Sequence, residues 1–126
     1  MTAIGIIRCQ KNESACPLTG CLKALNENAQ GFAGYEGSLR LVGVFTCRCP
    51  GDQLPALARI LKNKGADAIH FPTCTLARKE DGAWLTGQGL CPEIEALAEQ
   101  AAARAGIPCV LGSAHLPEGY APRIIR

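Results

Sequence analysis

This sequence predicts an open α/β domain, with a mostly parallel four-stranded sheet covered by helices on both faces. Three observations carry that expectation. Short apolar runs alternate with longer segments of helical apolar spacing. Glycine stop signals follow two of the helical segments. The 126 residues contain no low-complexity tract or linker, so they are read as one domain spanning 1–126.

Taken in order, the first strand is read at Ala3–Ile7 (AIGII) and the first helix at Leu18–Ala29, where Leu22 and Leu25 share a face. The β-branched run Leu39–Phe45 (LRLVGVF) gives the second strand. Gln53–Lys64 follows as the second helix, with Leu54, Leu57 and Leu61 on one stripe and Gly65 placed to take the left-handed cap. Ala68–Phe71 (AIHF) is the third strand. A polar turn, KEDG, and then Trp84-Leu85 make Ala77–Gly89 a small hairpin or lid. Glu93–Ala105 is the third helix, with Ile94, Leu97, Ala98 and Ala101 facing inward and Gly106 closing it, and Pro108–Leu111 is the fourth strand. Strands joined by right-handed helical crossovers lie parallel, which gives a flavodoxin-like order of 2-1-3-4.

Composition narrows the function classes. At 48% hydrophobic and 19% charged residues the chain is too apolar to stay disordered. Its net charge is +2, and no dense Lys/Arg cluster forms even with Arg123 and Arg126, so nucleic acid is not favoured. No run of about 18 apolar residues exists, and MTAIGIIRCQ is not a signal segment. The expectation is a soluble cytoplasmic protein with no membrane partner.

Eight cysteines are the anomaly. Cytoplasmic thiols stay reduced, so an abundance of them points to metal ligation or thiol chemistry rather than a disulfide framework. On the predicted scheme Cys9 follows the first strand, Cys47 and Cys49 the second, Cys74 the third and His115 the fourth, all past carboxyl ends. Cys16 and Cys91 precede helices that start from the same edge, which in open α/β sheets is the ligand crevice. Cys21, three and four residues from Leu18 and Leu25, is open between ligand and helix packing. In Cys16-Pro17, Cys49-Pro50 and Cys91-Pro92 the proline favours a first helical turn, which places each cysteine at or beside a helix N-terminus that stabilises thiolate. Gathered thiolates repel unless a cation sits among them. The expected ligands are therefore Cys9, Cys16, Cys21, Cys47, Cys49, Cys74, Cys91 and His115, and the cofactor is zinc or an iron–sulfur cluster.

Ile4-Gly-Ile-Ile-Arg-Cys-Gln10, Cys16-Pro17 with Cys21, Val42-Gly-Val-Phe-Thr-Cys47 with Cys49-Pro-Gly51, Lys64-Gly-Ala-Asp-Ala-Ile-His70 with Cys74, Cys91-Pro92 and Gly112-Ser-Ala-His115 together resemble the CGGC-domain family. The resemblance runs over nearly the whole chain. It implies a small prokaryotic protein whose many Cys and His bind zinc or another metal. The sequence departs from the family at its eponymous motif, where Cys47-Arg48-Cys49 is one residue shorter and has a charged side chain in place of the glycines. A disulfide across one residue would be strained. Residues two apart in an extended segment point the same way, so metal ligation tolerates the shortening better than redox cycling does.

Other residues take ordinary readings. Cys109 inside the fourth strand is a small hydrophobe, His70 a satisfied core or neighbouring imidazole, and Trp84 a packing residue. Arg48 either tunes thiolates or is solvent-exposed. Gly5 begins no Gly-x-Gly-x-x-Gly fingerprint, so a dinucleotide lacks support. The leading reading is a metal-binding protein. The alternative is a thiol redox or sulfur-transfer enzyme in which Cys49 attacks and Cys47 or Cys9 resolves.

Overall fold

The computed structural model describes residues 1–126. Its main sheet contains β1 (Thr2–Cys9), β2 (Leu39–Cys47), β3 (Ala68–Phe71), β6 (Cys109–Leu111) and β7 (Arg123–Ile125), and a separate hairpin is formed by β4 (Ala77–Glu80) and β5 (Ala83–Thr86). The helices are α1 (Thr19–Asn26), α2 (Leu54–Asn63) and α3 (Ile94–Ala105). Strand order is β2-β1-β3-β6-β7. The first four are parallel, and β7 runs antiparallel to β6, with Cys109 opposite Ile125 and Leu111 opposite Arg123.

Four strands are thus corrected to five, and the antiparallel edge separates the sheet from the all-parallel flavodoxin-like arrangement. The physical reason is local. Gly112 at φ +140 lets the chain leave β6 and turn back, and the returning Arg123–Ile125 is too short to show any alternation in sequence. Arg123 also pairs with Glu95 and Glu99 of α3, which ties the new edge to the helix layer.

Alternation along β1 builds both halves of the core. Ile4 and Ile6 pack under α1 with Leu25, Phe32 and Ala114; Ile7 faces the other way, toward Leu54 and Leu61 of α2 and Leu97 of α3. Each of these isoleucines is almost fully buried, and each burial is worth about 1.5–3 kcal/mol. Helix ends follow the expected chemistry at α2 and α3, where Gly65 and Gly106 take positive φ. α1 stops earlier than its apolar spacing implies, because Asn28 adopts φ +50 and donates to the carbonyls of Tyr35 and Gly37. The hairpin turns at Asp81-Gly82, both at positive φ.

Candidate metal centre

The carboxyl end of the sheet gathers seven of the eight thiols in two groups, with Cys9 close enough to act on Cys47 and Cys91 of one and on Cys74 of the other. All eight cysteines are free. Cys9 ends β1 and Cys47 ends β2, and the two are register partners in the parallel pair, which sets their backbones about 5 Å apart with side chains on one face. Cys49 follows in a turn closed by the Gly51 N–H on the Arg48 carbonyl, and Cys91 approaches from the loop ahead of α3. These four line one small cleft of about 30 Å³, floored by Ile7, Leu54 and Phe71 and bordered also by Arg8.

The second group lies on the α1 face. Cys21 is buried, and its Sγ is 2.9 Å from Ser113 Oγ. Cys74, in the single 3₁₀ turn Thr73–Thr75 after β3, accepts from Asn12 Nδ2 at 3.8 Å. Cys16 Sγ accepts the Leu18 N–H at 3.4 Å. Between them Arg8, the β1 residue whose side chain leaves on the opposite face from Cys9, donates to the carbonyls of Asn12 and Cys16.

The expected helix-start placement needs correction. α1 begins after Leu18, α2 after Gln53 and α3 after Glu93, so Cys16, Cys49 and Cys91 stand three to five residues ahead of the first helical residue. Leu18 at φ +69 and Gly51 at φ +93 break the helical path after Pro17 and Pro50. What remains is local: the Cys16 and Cys91 sulfurs each accept the N–H of the residue two further on, Leu18 and Glu93.

The electrostatics are also the reverse of a set of bare thiolates. Burial, with lesser repulsion from Cys91, Cys9 and Cys49, pushes the Cys47 thiol up to about 11. Burial likewise raises Cys91, an effect opposed by the Glu93 N–H and, more weakly, by Lys11. Cys74 is pushed up to about 11 and Cys21 is raised, again chiefly by burial. Without a cation these sulfurs are protonated. No three Cys, His, Asp or Glu side chains meet around a common point at coordinating distance, so ligation needs side-chain rotation.

His115 joins neither group. It is exposed and stacks on Trp84 at 5.5 Å and 9°, beside Gly20 of α1. Cys109 is fully buried inside β6 among aliphatic neighbours, as a small hydrophobe should be. His70 is a satisfied core imidazole: Nδ1 donates to the Gly112 carbonyl at 2.9 Å, Nε2 accepts from Tyr35 Oη at 2.8 Å, and the ring stacks on Phe32. Burial lowers its pKa to about 4. Arg48 turns away from the sulfurs onto Glu13 at 3.1 Å.

Arg8, Asn12 and Ser113 were not singled out by sequence reasoning. The available signal was the charge of Arg8 inside an apolar strand, one residue before a cysteine. No helix is long and apolar enough to cross a membrane. No curated protein and no solved structure gives a significant match to the chain. The family model for the CGGC domain matches residues 3–114, and with nearly all of its length covered the chain belongs to the CGGC-domain family.

Proposed function

We propose that this protein binds a thiophilic metal through Cys9, Cys47, Cys49 and Cys91. The observation that carries the reading is the convergence of these four thiols, from three separate elements, on one cleft. Four sulfur donors match the tetrahedral preference of zinc. A divalent ion would supply the positive charge that lets protonated, half-buried thiols ionise. Lys11, close enough to Cys91 to favour its thiolate, would offset part of the remaining negative charge. The chain's role would be to hold and shield that ion in the cytoplasm, without contact with nucleic acid or lipid.

The test is anaerobic purification followed by metal analysis and a visible spectrum. One zinc per chain with no visible absorption supports the reading in its simplest form. Iron with sulfide and a broad band near roughly 400 nm would replace zinc by a cluster. Metal-free protein with Cys49 far more reactive than its neighbours would overturn metal binding in favour of the thiol redox enzyme.

A further inference from the structure

Beside the four-cysteine cleft lies a larger cavity that the metal reading does not use. Its volume is about 620 Å³, and it is bounded by the loop after β5, the start of α3 and residues of β6 and β7. Thr75, Cys91 and Ile94 line both spaces, so the half-buried Cys91 is the one thiol that belongs to the cleft and also faces this cavity. A pocket of that volume is in the range that holds a small molecule.

The walls are held by the chain itself. The loop carrying Cys91 lies on the turn after β3: the Gly87, Leu90 and Cys91 N–H groups donate to the Leu76, Cys74 and Thr75 carbonyls at 2.8, 2.8 and 3.1 Å. Gly89 is required there, since a Cβ would stand 2.6 Å from the backbone of Thr75, Leu76 and Ala77. On the β6–β7 side, Tyr120 Oη donates to the Leu111 carbonyl at 2.7 Å and accepts the Arg123 N–H at 3.3 Å, which sets the strand that presents Arg123. The charged groups come in both signs: Arg123 is paired with Glu95, which lines the cavity with it, and with Glu99 further along α3. A ligand of one sign meets a like charge there whichever sign it carries, whereas a ligand carrying both can pair with each. Glu95 follows Cys91 by four residues, across a turn closed by the Ile94 N–H on the Cys91 carbonyl at 3.2 Å. The charge pair and the sulfur thus face one space a single turn apart, which suits a short molecule with its sulfur close to a zwitterionic head.

We infer that this cavity binds a sulfur-bearing α-amino acid, and that Cys91 captures it from its disulfide form, cystine. The ligand's ammonium group pairs with Glu95 and its carboxylate with Arg123, which brings a disulfide sulfur to Cys91. The reaction is thiol–disulfide exchange. Cys91 Sγ attacks one sulfur of cystine: a new S–S bond to Cys91 forms, the S–S bond of cystine breaks, and one cysteine leaves, taking up the proton that the Cys91 thiol gives up. Cys91 is oxidised and the departing cysteine is the reduced half, so cystine is the only oxidant. The site stands on the cavity and does not depend on a metal in the cleft. Cysteinylated Cys91 has no thiolate to offer a metal, so the two uses of this sulfur exclude each other.

The experiment treats the reduced, metal-free full chain with cystine and follows the initial rate of modification at each cysteine by peptide mass spectrometry. Three disulfides serve as controls: cystamine, with ammonium groups only; dithiodipropionate, with carboxylates only; and bis(2-hydroxyethyl) disulfide, with no charge. Cys49 is exposed and Cys91 half-buried, so the uncharged reagent should favour Cys49. Cystine should instead modify Cys91 at least about tenfold faster than Cys49, with a rate that saturates as its concentration rises. Glu95→Gln should slow capture at Cys91 at least about threefold and leave Cys49 unaffected. The comparison of reagents on the unsubstituted chain needs no variant to fold. The same Cys91-to-Cys49 ratio for cystine as for the uncharged reagent overturns the inference, and so does an equal preference for Cys91 from either single-sign disulfide. Repeating the reaction with saturating zinc separates this inference from the metal reading: undiminished, cystine-selective capture at Cys91 would remove Cys91 from the proposed ligands and leave the cavity site standing.

Discussion

The two faces of the sheet at its carboxyl end hold similar numbers of sulfurs and surround them with different partners. On the α2 and α3 face, Cys9, Cys47, Cys49 and Cys91 line a largely apolar cleft that Arg8 also borders, with Lys11 close enough to Cys91 to act on it. On the α1 face, Cys16, Cys21 and Cys74 surround a half-buried guanidinium and a network of hydroxyl and amide groups. One step along β1 produces this difference. Arg8 and Cys9 are neighbours in sequence and point to opposite faces of the pleat. A rim that looks continuous in projection therefore presents its sulfurs to two sets of neighbours, with Cys9 close enough to act on both Cys47 and Cys74.

The largest expected effect tests that separation directly. Cys9→Ser or Cys47→Ser should weaken zinc binding by more than about 100-fold, whereas Cys21→Ser, on the other face, should change it by less than about threefold. Competition against a colorimetric chelator measures both. Equal losses from the two faces would mean that the sulfurs act as one site and would erase the comparison. Zinc affinity should also fall as pH is lowered, since the Cys47 and Cys91 thiols, raised by burial, must release protons to ligate.

A second test sharpens what is special about the α1 face, where the polar network extends to His70. Burial depresses the His70 pKa from about 6.5 to about 4 in the folded state. The unfolded chain therefore binds more protons between those values, so stability is complete above about pH 6.5 and falls as pH drops toward 4. The loss is on the order of 3 kcal/mol. Denaturant unfolding of the chain at pH 7 and at pH 4.5 should show it. The difference should shrink in His70→Gln, which has no proton to gain. Tyr35→Phe should cost about 1–2 kcal/mol at pH 7 by leaving Nε2 without its donor.

Much of this architecture is legible in the chain, and the parts that are not share a cause. The four parallel strands and three helices follow from apolar runs set between segments of helical spacing and from Gly65 and Gly106; β3 and β6 are short but read as buried strands because every residue in them faces the interior. β7 is three residues long and is held by pairing with β6 and by Arg123 on α3, neither of which leaves a local pattern. That the cysteines reach the carboxyl end is readable from strand ends. The division into two groups is not, because it depends on the face each sulfur takes in loops such as Cys47-Arg48-Cys49 and Thr73–Thr75, where no periodicity applies. His115 was grouped with the thiols for the same reason: position after a strand fixes the edge, whereas its stack on Trp84 comes from a hairpin 30 residues away in sequence. His70 is the opposite case. An imidazole in a four-residue apolar strand has to find two partners inside, and it does.

A smaller effect is expected at Gly31, which ties the loop carrying Ser113 to the α1 face through its N–H on the Ser113 carbonyl at 2.7 Å. A Cβ there would stand 2.7 Å from the Gly112 carbonyl oxygen. Both neighbours are backbone and cannot swing aside, so Gly31→Ala should cost about 1–3 kcal/mol in unfolding experiments. It should leave zinc affinity intact, because the displaced loop carries none of Cys9, Cys47, Cys49 and Cys91.

The smallest expected effect concerns the charged residue that stands where the family has glycine. Arg48 lies between two proposed ligands, and sequence alone leaves open whether its charge serves the sulfurs. Its guanidinium instead pairs with Glu13 at 3.1 Å, and both partners are more than a third exposed. A pair in that position contributes less than about 1 kcal/mol and is screened by salt. Arg48→Ala should therefore lower stability only slightly at low ionic strength and not detectably in about 0.5 M salt, with zinc stoichiometry and affinity unchanged. If the variant instead loses zinc affinity at all salt concentrations, Arg48 acts on the thiolates and not on Glu13 alone.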